Sequence, residues 1–266
     1  MKLISMCSEC IQQKEINSII QEVEFKQELS DKYDIDIFTI ENVCPNGHHS
    51  YSMLQAFAFE VLFDFAVRCL VKEDYESAIV YFSSAKERFY WFFVRYASRK
   101  LNHNNSATQY FHKIVRKSSQ QEEGVFYAIY SLYFNEIPKV FETRTQEIRN
   151  NVVHRGQFVG KDDCIKYGKE VFNKIVDILG KVKEKDPDFY FDELTARKKE
   201  LSKVSEFESK KYTIISGECA NFMINGDKKI DFDEIVERCK TRDKMITEYY
   251  ENIKKGKSWW IIKLKK

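Results

Sequence analysis

The chain is poor in the residues that interrupt helices. Its 266 residues include 3 prolines and 9 glycines. That scarcity excludes a fold built on many tight hairpins and points to long helices. Long apolar runs are also missing. None approaches the roughly 20 residues that a bilayer span requires, which argues against a membrane-spanning helix. The opening "MKLISMCSECIQQKE" holds no apolar core of secretory length, so the expected location is the cytoplasm. Neither sign of charge dominates: 43 Lys and Arg stand against 41 Asp and Glu, a formal net charge of +2. A strongly basic nucleic-acid sleeve is excluded, whereas a local basic patch is not. Histidine is rare, at five residues.

Aromatic residues are abundant. With 21 Phe, 15 Tyr and 3 Trp, the core is expected to be rich in rings. Seven cysteines is an odd number, and disulfides are not expected in the cytoplasm. Paired cysteines are therefore tested first as metal ligands. Cys7 and Cys10 form a Cys-x2-Cys pair, and Cys44 opens the turn "CPNGHH" with His48 and His49. Zinc takes four sulfur or nitrogen ligands in a tetrahedron, and two ligands spaced by two or three residues can bind from one turn. Gly47 lets that turn curl and Pro45 stiffens it. The "CPNGH" turn resembles half of a zinc ribbon. That resemblance implies Cys7, Cys10, Cys44 and His48 as ligands of a structural zinc, His48 being chosen over His49 by its match to the knuckle. Such a closed site has no catalytic role and contributes on the order of 10 kcal/mol to folding. Cys69, Cys164, Cys219 and Cys239 lie in helical or apolar contexts and are expected in the core.

The pattern along the chain predicts three segments: residues 1–49 as a zinc-ribbon-like knuckle, 50–185 as a helical bundle, and 186–266 as a mostly helical extension. "INSIIQEVEFKQEL" fits helix or strand, while "YDIDIFTI" alternates and is β-branched, a strand signature. From Ser50 apolar residues fall at helical spacing. A second, denser helix is expected over 74–100. A third runs from about Thr108 to Asn135, broken near Glu123 and Gly124. Pro138 suits the first turn of a fourth, which Gly156 would stop. Asp162 or Asp163 can cap a fifth. Beyond "DPD", a charged helix, a short strand or loop at "YTIISGE" and an amphipathic helix follow. The tail "KKGKSWWIIKLKK" reads as a terminal strand, with base stacking or a membrane surface as its other uses.

The fourth helix ends in "RNNVVHRG". Asn150 and His154 are one turn apart on one face, and Arg149 lies off it with a long reach. Val152 and Val153 can anchor the helix. His154 falls at the helix end, where the dipole favours the imidazolium. By spacing alone this is an exposed basic helix end or a phosphate-cleaving site. RNA cleavage without a metal takes a base for the 2′-OH, an acid for the leaving oxygen and a cation for the charge on phosphorus. One motif offers a single histidine; two copies across a two-fold axis would offer two.

"RNNVVHRG" resembles the Arg-Asn-x-x-x-His motif of the HEPN family, helical bundles that include many endoribonuclease toxins. "KDDCIKYGKEVFNKIVDIL" matches the helix that follows it there, and "DYESAIVYFSSAKERFYWFFVRY" resembles the second bundle helix of a subgroup preceded by a zinc knuckle. The resemblance spans roughly Cys44 to Val182. It implies a mainly α fold: a HEPN-like antiparallel bundle with an N-terminal zinc ribbon and a C-terminal extension. It implies Arg149, Asn150 and His154 as catalytic residues, with Glu87 on the second helix orienting Arg149 or His154; by its neighbours alone Glu87 reads equally as a surface acid paired with Lys86 or Arg88. The implied activity is a metal-independent endoribonuclease, acting as a homodimer in toxin or phage-defence roles and open to a regulatory protein partner. Non-catalytic HEPN dimers also exist, so a module binding RNA or protein, or sensing a nucleotide, is the alternative.

Overall fold

The computed structural model describes residues 4–5, 7, 9–10, 21–22, 38–43, 46–54, 56–101, 118–140, 142–201, 212–215, 222 and 231–254. In chain order the elements are β1 (Ile4–Ser5), β2 (Gln21–Glu22), β3 (Phe38–Val43), β4 (His49–Leu54), α1 (Ala58–Val71), α2 (Tyr75–Lys100), α3 (Ser119–Phe134), α4 (Thr143–Arg155), α5 (Lys161–Lys185), α6 (Phe189–Leu201), β5 (Tyr212–Ile215) and α7 (Phe232–Lys254). The protein is mainly helical, and none of the described helices is long and apolar enough to cross a membrane.

The chain divides into two compact units. One comprises residues 1–57, 190–221 and 233–266; the other comprises 58–189 and 222–232. In the first, β3 and β4 form an antiparallel hairpin, Phe38 opposite Leu54 and Val43 opposite His49. β5 adds parallel to β4, Tyr51 opposite Tyr212, and joins the N-terminal and C-terminal stretches in one sheet. Sequence spacing cannot show a pairing between strands so far apart. β1 and β2 form a separate antiparallel pair.

The second unit is built around α2. Its ring-rich sequence predicts a buried spine, and two of its faces are covered. On one, Phe82 and Phe89 meet Phe63 and Phe59 of α1 at 5.1 and 5.2 Å between centroids. On the other, Tyr90 stacks on Phe126 of α3 at 3.9 Å, and Phe93 meets the same ring edge-on at 5.4 Å. Phe172 of α5 and Phe222 complete the first cluster, 5.5 Å apart. Such ring pairs are each worth about 0.5–1.5 kcal/mol beyond their buried area. A tight turn delivers the chain from α1 to α2. Glu73 adopts the left-handed region at φ 62°, and Asp74 caps α2 by accepting from the Ser77 N–H at 3.3 Å. α1 also buries an ion pair, Arg68 donating to Asp64 at 2.6 Å, which amphipathic patterning did not suggest.

Several boundaries differ from the sequence reading. Residues 49–54 are strand, not helix: their alternation is used by β3 and β5, and α1 begins only at Ala58. α3 runs unbroken through Gly124, whose helix penalty of about 1 kcal/mol is outweighed by the rings around Phe126 and Tyr130. Pro138 starts no helix. Asn135 ends α3 in the left-handed region, and the next helix waits for Glu142, whose N–H donates to Glu170 at 2.7 Å. Gly160 rather than an aspartate caps α5; Asp162 and Asp163 sit in its first turn, where the dipole favours them. Gly156 does stop α4, at φ 62° with its N–H on Val152 O at 3.2 Å. Cys164 and Cys239 are buried and Cys69 is half-buried; burial pushes the Cys164 thiol up to about 12. Cys219, the 102–117 stretch and the lysine-tryptophan tail lie outside the described residues.

α5 packs tightly against the Phe82 ring of α2 at Gly168. A Cβ there would lie 2.8 Å from the Phe82 ring and 2.9 Å from Phe232. Gly168→Ala is expected to lose about 1–3 kcal/mol through this overpacking, read as a lower urea midpoint.

Candidate functional site

α4 is weakly apolar, and it is held by one buried edge. Thr145 and Ile148 are buried and Val152 is half-buried, whereas Val153 is 40% exposed and anchors nothing. Arg149 shares the inner edge. Its side chain is 17% exposed, and it reaches across to α2. There Ser83 and Glu87, one helical turn apart, face it. Arg149 Nε donates to Ser83 Oγ at 3.2 Å, and Nη2 donates to Glu87 Oε1 at 3.3 Å.

The same guanidinium turns back along its own helix. Nη1 donates to Asn150 Oδ1 at 3.2 Å and lies 2.7 Å from His154 Nε2. A guanidinium only donates, so His154 Nε2 is the acceptor in this contact. The four residues singled out on α2 and α4, Glu87, Arg149, Asn150 and His154, thus meet around one cation. The α4–α5 loop is tied to α2 through the Val159 N–H, which donates to Glu76 Oε1 at 2.9 Å. Phe158 in that loop is 94% exposed.

A pocket of about 570 Å³ opens beside these groups, a size in the usual range for small-ligand sites. Arg149, Asn150 and His154 line it, and so does a second set, Lys86, Glu123 and Tyr167. Sequence patterning missed the second set. Glu123 had been read as part of a helix break, although its carboxylate is fixed by two hydroxyls: Tyr127 donates to Oε1 at 2.9 Å and Tyr90 to the same oxygen at 3.4 Å. Ser83 had one legible signal, its place a turn before Glu87. Behind Glu123, Lys174 lies 5.5 Å from the centre of the Tyr127 ring. Burial holds the Lys86 ammonium below the usual lysine range, against the opposing pull of Glu123 and Glu87. Burial likewise pushes the Tyr167 hydroxyl up, partly offset by Ser83 and Arg149.

A second cluster belongs to the other unit. Cys7 and Cys10 are buried, and His48 Nδ1 lies 3.9 Å from the Cys7 sulfur and 3.4 Å from that of Cys10. The three ligand atoms fall within 4.8 Å of one another and could hold a metal ion. Asn46 Nδ2 donates to the Cys10 sulfur at 3.7 Å, and Gly47 makes the turn at φ 80°. His49 begins β4, opposite Val43. Cys44 lies outside the described residues.

Compared with family models, curated proteins and solved structures, the chain matches none. Its functional reading therefore stands on the residues themselves.

The buried lysines generate a pH dependence. Burial lowers the Lys174 ammonium to about 8 in the fold, against about 10.4 for a free lysine. Between those values the unfolded chain binds more protons, so unfolding free energy rises with pH. Denaturant melts from pH 8 to 10 should show a gain on the order of 2 kcal/mol. Lys174→Met should flatten that gain and raise stability at pH 7.

Proposed function

We propose that the chain is a metal-independent endoribonuclease of the HEPN type, acting as a homodimer. The observation that carries this reading is the Arg149 guanidinium bound at once by Ser83, Glu87, Asn150 and His154 at the edge of an open pocket. A cation oriented by a carboxylate and set against an imidazole acceptor is the combination that phosphoryl transfer to a 2′-oxygen requires.

In this mechanism the scissile phosphate docks on Arg149, whose guanidinium grips two of its oxygens. The phosphate then takes the donor that His154 Nε2 had, and the freed nitrogen accepts the 2′-OH proton. The 2′-oxygen bonds to phosphorus, and the bond from phosphorus to the 5′-oxygen breaks. The products are a 2′,3′-cyclic phosphate and a 5′-hydroxyl. The leaving oxygen needs a proton, and among the described residues His154 is the one imidazole lining the pocket. The partner's His154 supplies that proton, which is the chemical reason for a dimer. Asn150 offers its amide to the phosphate or the ribose. Glu87 is a positioning residue that holds Arg149 Nη2. The 2′-OH requirement restricts the substrate to RNA.

The Cys7, Cys10 and His48 cluster supports a structural zinc. Zinc bonds of about 2.3 Å to sulfur and 2.0–2.1 Å to nitrogen, at a tetrahedral angle, put ligand sulfur and nitrogen about 3.6 Å apart. The observed 3.9 and 3.4 Å bracket that value. Cys44 is proposed as the fourth ligand, and the zinc holds the knuckle without entering catalysis.

Purified protein in low magnesium should cleave cellular RNA to cyclic-phosphate ends, mapped by end-specific ligation. Arg149→Ala and His154→Ala should each lose roughly a hundredfold or more. Glu87→Gln should lose less than either. Equal cleavage by wild type and His154→Ala sinks the nuclease reading. Zinc should be found at one ion per chain by elemental analysis, and Cys10→Ser should lower both zinc content and melting temperature. Full zinc occupancy in Cys10→Ser would remove the site.

A further inference from the structure

The pocket is larger than a phosphate needs, and its lining includes groups the cleavage step does not use. Glu123 is the informative residue. Both tyrosine hydroxyls that hold it, from Tyr90 and Tyr127, donate to a single oxygen, Oε1. None of the described residues donates to Oε2. The carboxylate is thus oriented by two donors on one side and keeps an acceptor for a group entering the pocket it lines. Lys86 lines the same pocket, and Glu123 is the charge that acts on it most strongly. An acceptor and a cationic donor lining one pocket match the edge of a nucleobase, where an N–H group adjoins a carbonyl or ring nitrogen. They do not match a second phosphate, which the carboxylate would repel.

We infer that this pocket is a nucleobase subsite: it receives the base of the nucleotide adjoining the cleaved phosphodiester and reads it through Glu123 Oε2 and Lys86 Nζ. The inference rests on the nuclease reading for its placement, since Arg149 and His154 line the same pocket and would hold the phosphate. Three features suit a base. The pocket is lined from four helices, α2, α3, α4 and α5. Its lining is mostly polar, with Ser119, Gln120 and Gln146 adding amide and hydroxyl groups that can turn to either polarity. The acceptor is fixed by partners on α2 and α3, so a base that presents an acceptor to it leaves both groups unpaired and loses affinity.

The test uses the full chain and two readouts. In the first, a randomised RNA pool is cut and the ends are sequenced. Wild type should favour one or two bases by about tenfold or more at one position flanking the cut. Glu123→Gln keeps an acceptor for the tyrosines and puts an amide donor where Oε2 was. It should erase or invert that preference. In the second, the four nucleoside 3′-monophosphates are titrated into His154→Ala protein, where cleavage plays no part. One or two should bind about tenfold tighter than the rest, and adding Glu123→Gln should collapse the ranking. Equal affinity of all four, or a cleavage preference that Glu123→Gln leaves intact, overturns the subsite. Cleavage that survives His154→Ala would sink the nuclease reading alone, because the nucleotide ranking still decides the pocket. Should Glu123→Gln fail to fold by circular dichroism, the four-nucleotide ranking on His154→Ala decides by itself.

Discussion

A guanidinium enclosed between two helices must find acceptors in several directions or stay unfavourably desolvated. Arg149 finds four, two on α2 and two on its own helix, and the placement of the candidate site follows from that requirement. Ser83 and Glu87 decide where the cation sits. The cation in turn holds His154 Nε2 at 2.7 Å. Removing any acceptor changes more than one contact, because one planar group serves all of them.

That arrangement depends on how α2 is held. Ring pairs fix it against α1 and α3, and the absence of a side chain at Gly168 lets α5 approach the same helix. α4 buries little of its own surface. Its position is set by Thr145, Ile148 and Arg149, by the Glu142 N–H on Glu170 at its start, and by Gly156 at its end. Small shifts in α4 are checked by these polar contacts, whose geometry tolerates little error.

The polar groups inside this unit fall into two kinds. Asp64 and Arg68 pair within α1 at 2.6 Å and orient each other. Glu123, Lys86 and Lys174 belong to a looser set whose members come from three helices and whose ammonium groups are held below the usual range by burial. Burying such groups costs stability that an apolar core would have kept. Two of them, Glu123 and Lys86, line the pocket beside Arg149. In the other unit the cysteine pair and His48 offer a different kind of restraint, a cluster able to grip one ion where the strands around it are short.

Much was readable from residue order alone. The ring-dense run over 74–100 specified α2 almost to the residue, because helical period and burial coincide there. Gly156 specified the end of α4, because a left-handed cap strains a Cβ-bearing residue. The sequence also held the spacing of Arg149, Asn150 and His154 and the Cys7–Cys10 pair, since those chemistries are local. Tertiary structure alone decided the rest. The alternation of residues 49–54 became strand only because β3 and β5 offered edges on both sides. Gly124 stayed helical because its neighbours stack on α2, and Glu123 became a pocket wall because Tyr90 and Tyr127 hold one of its oxygens. Local order sets the period and the caps of a chain; which distant groups share a pocket depends on packing between helices, and no short window of residues contains both partners of such a contact.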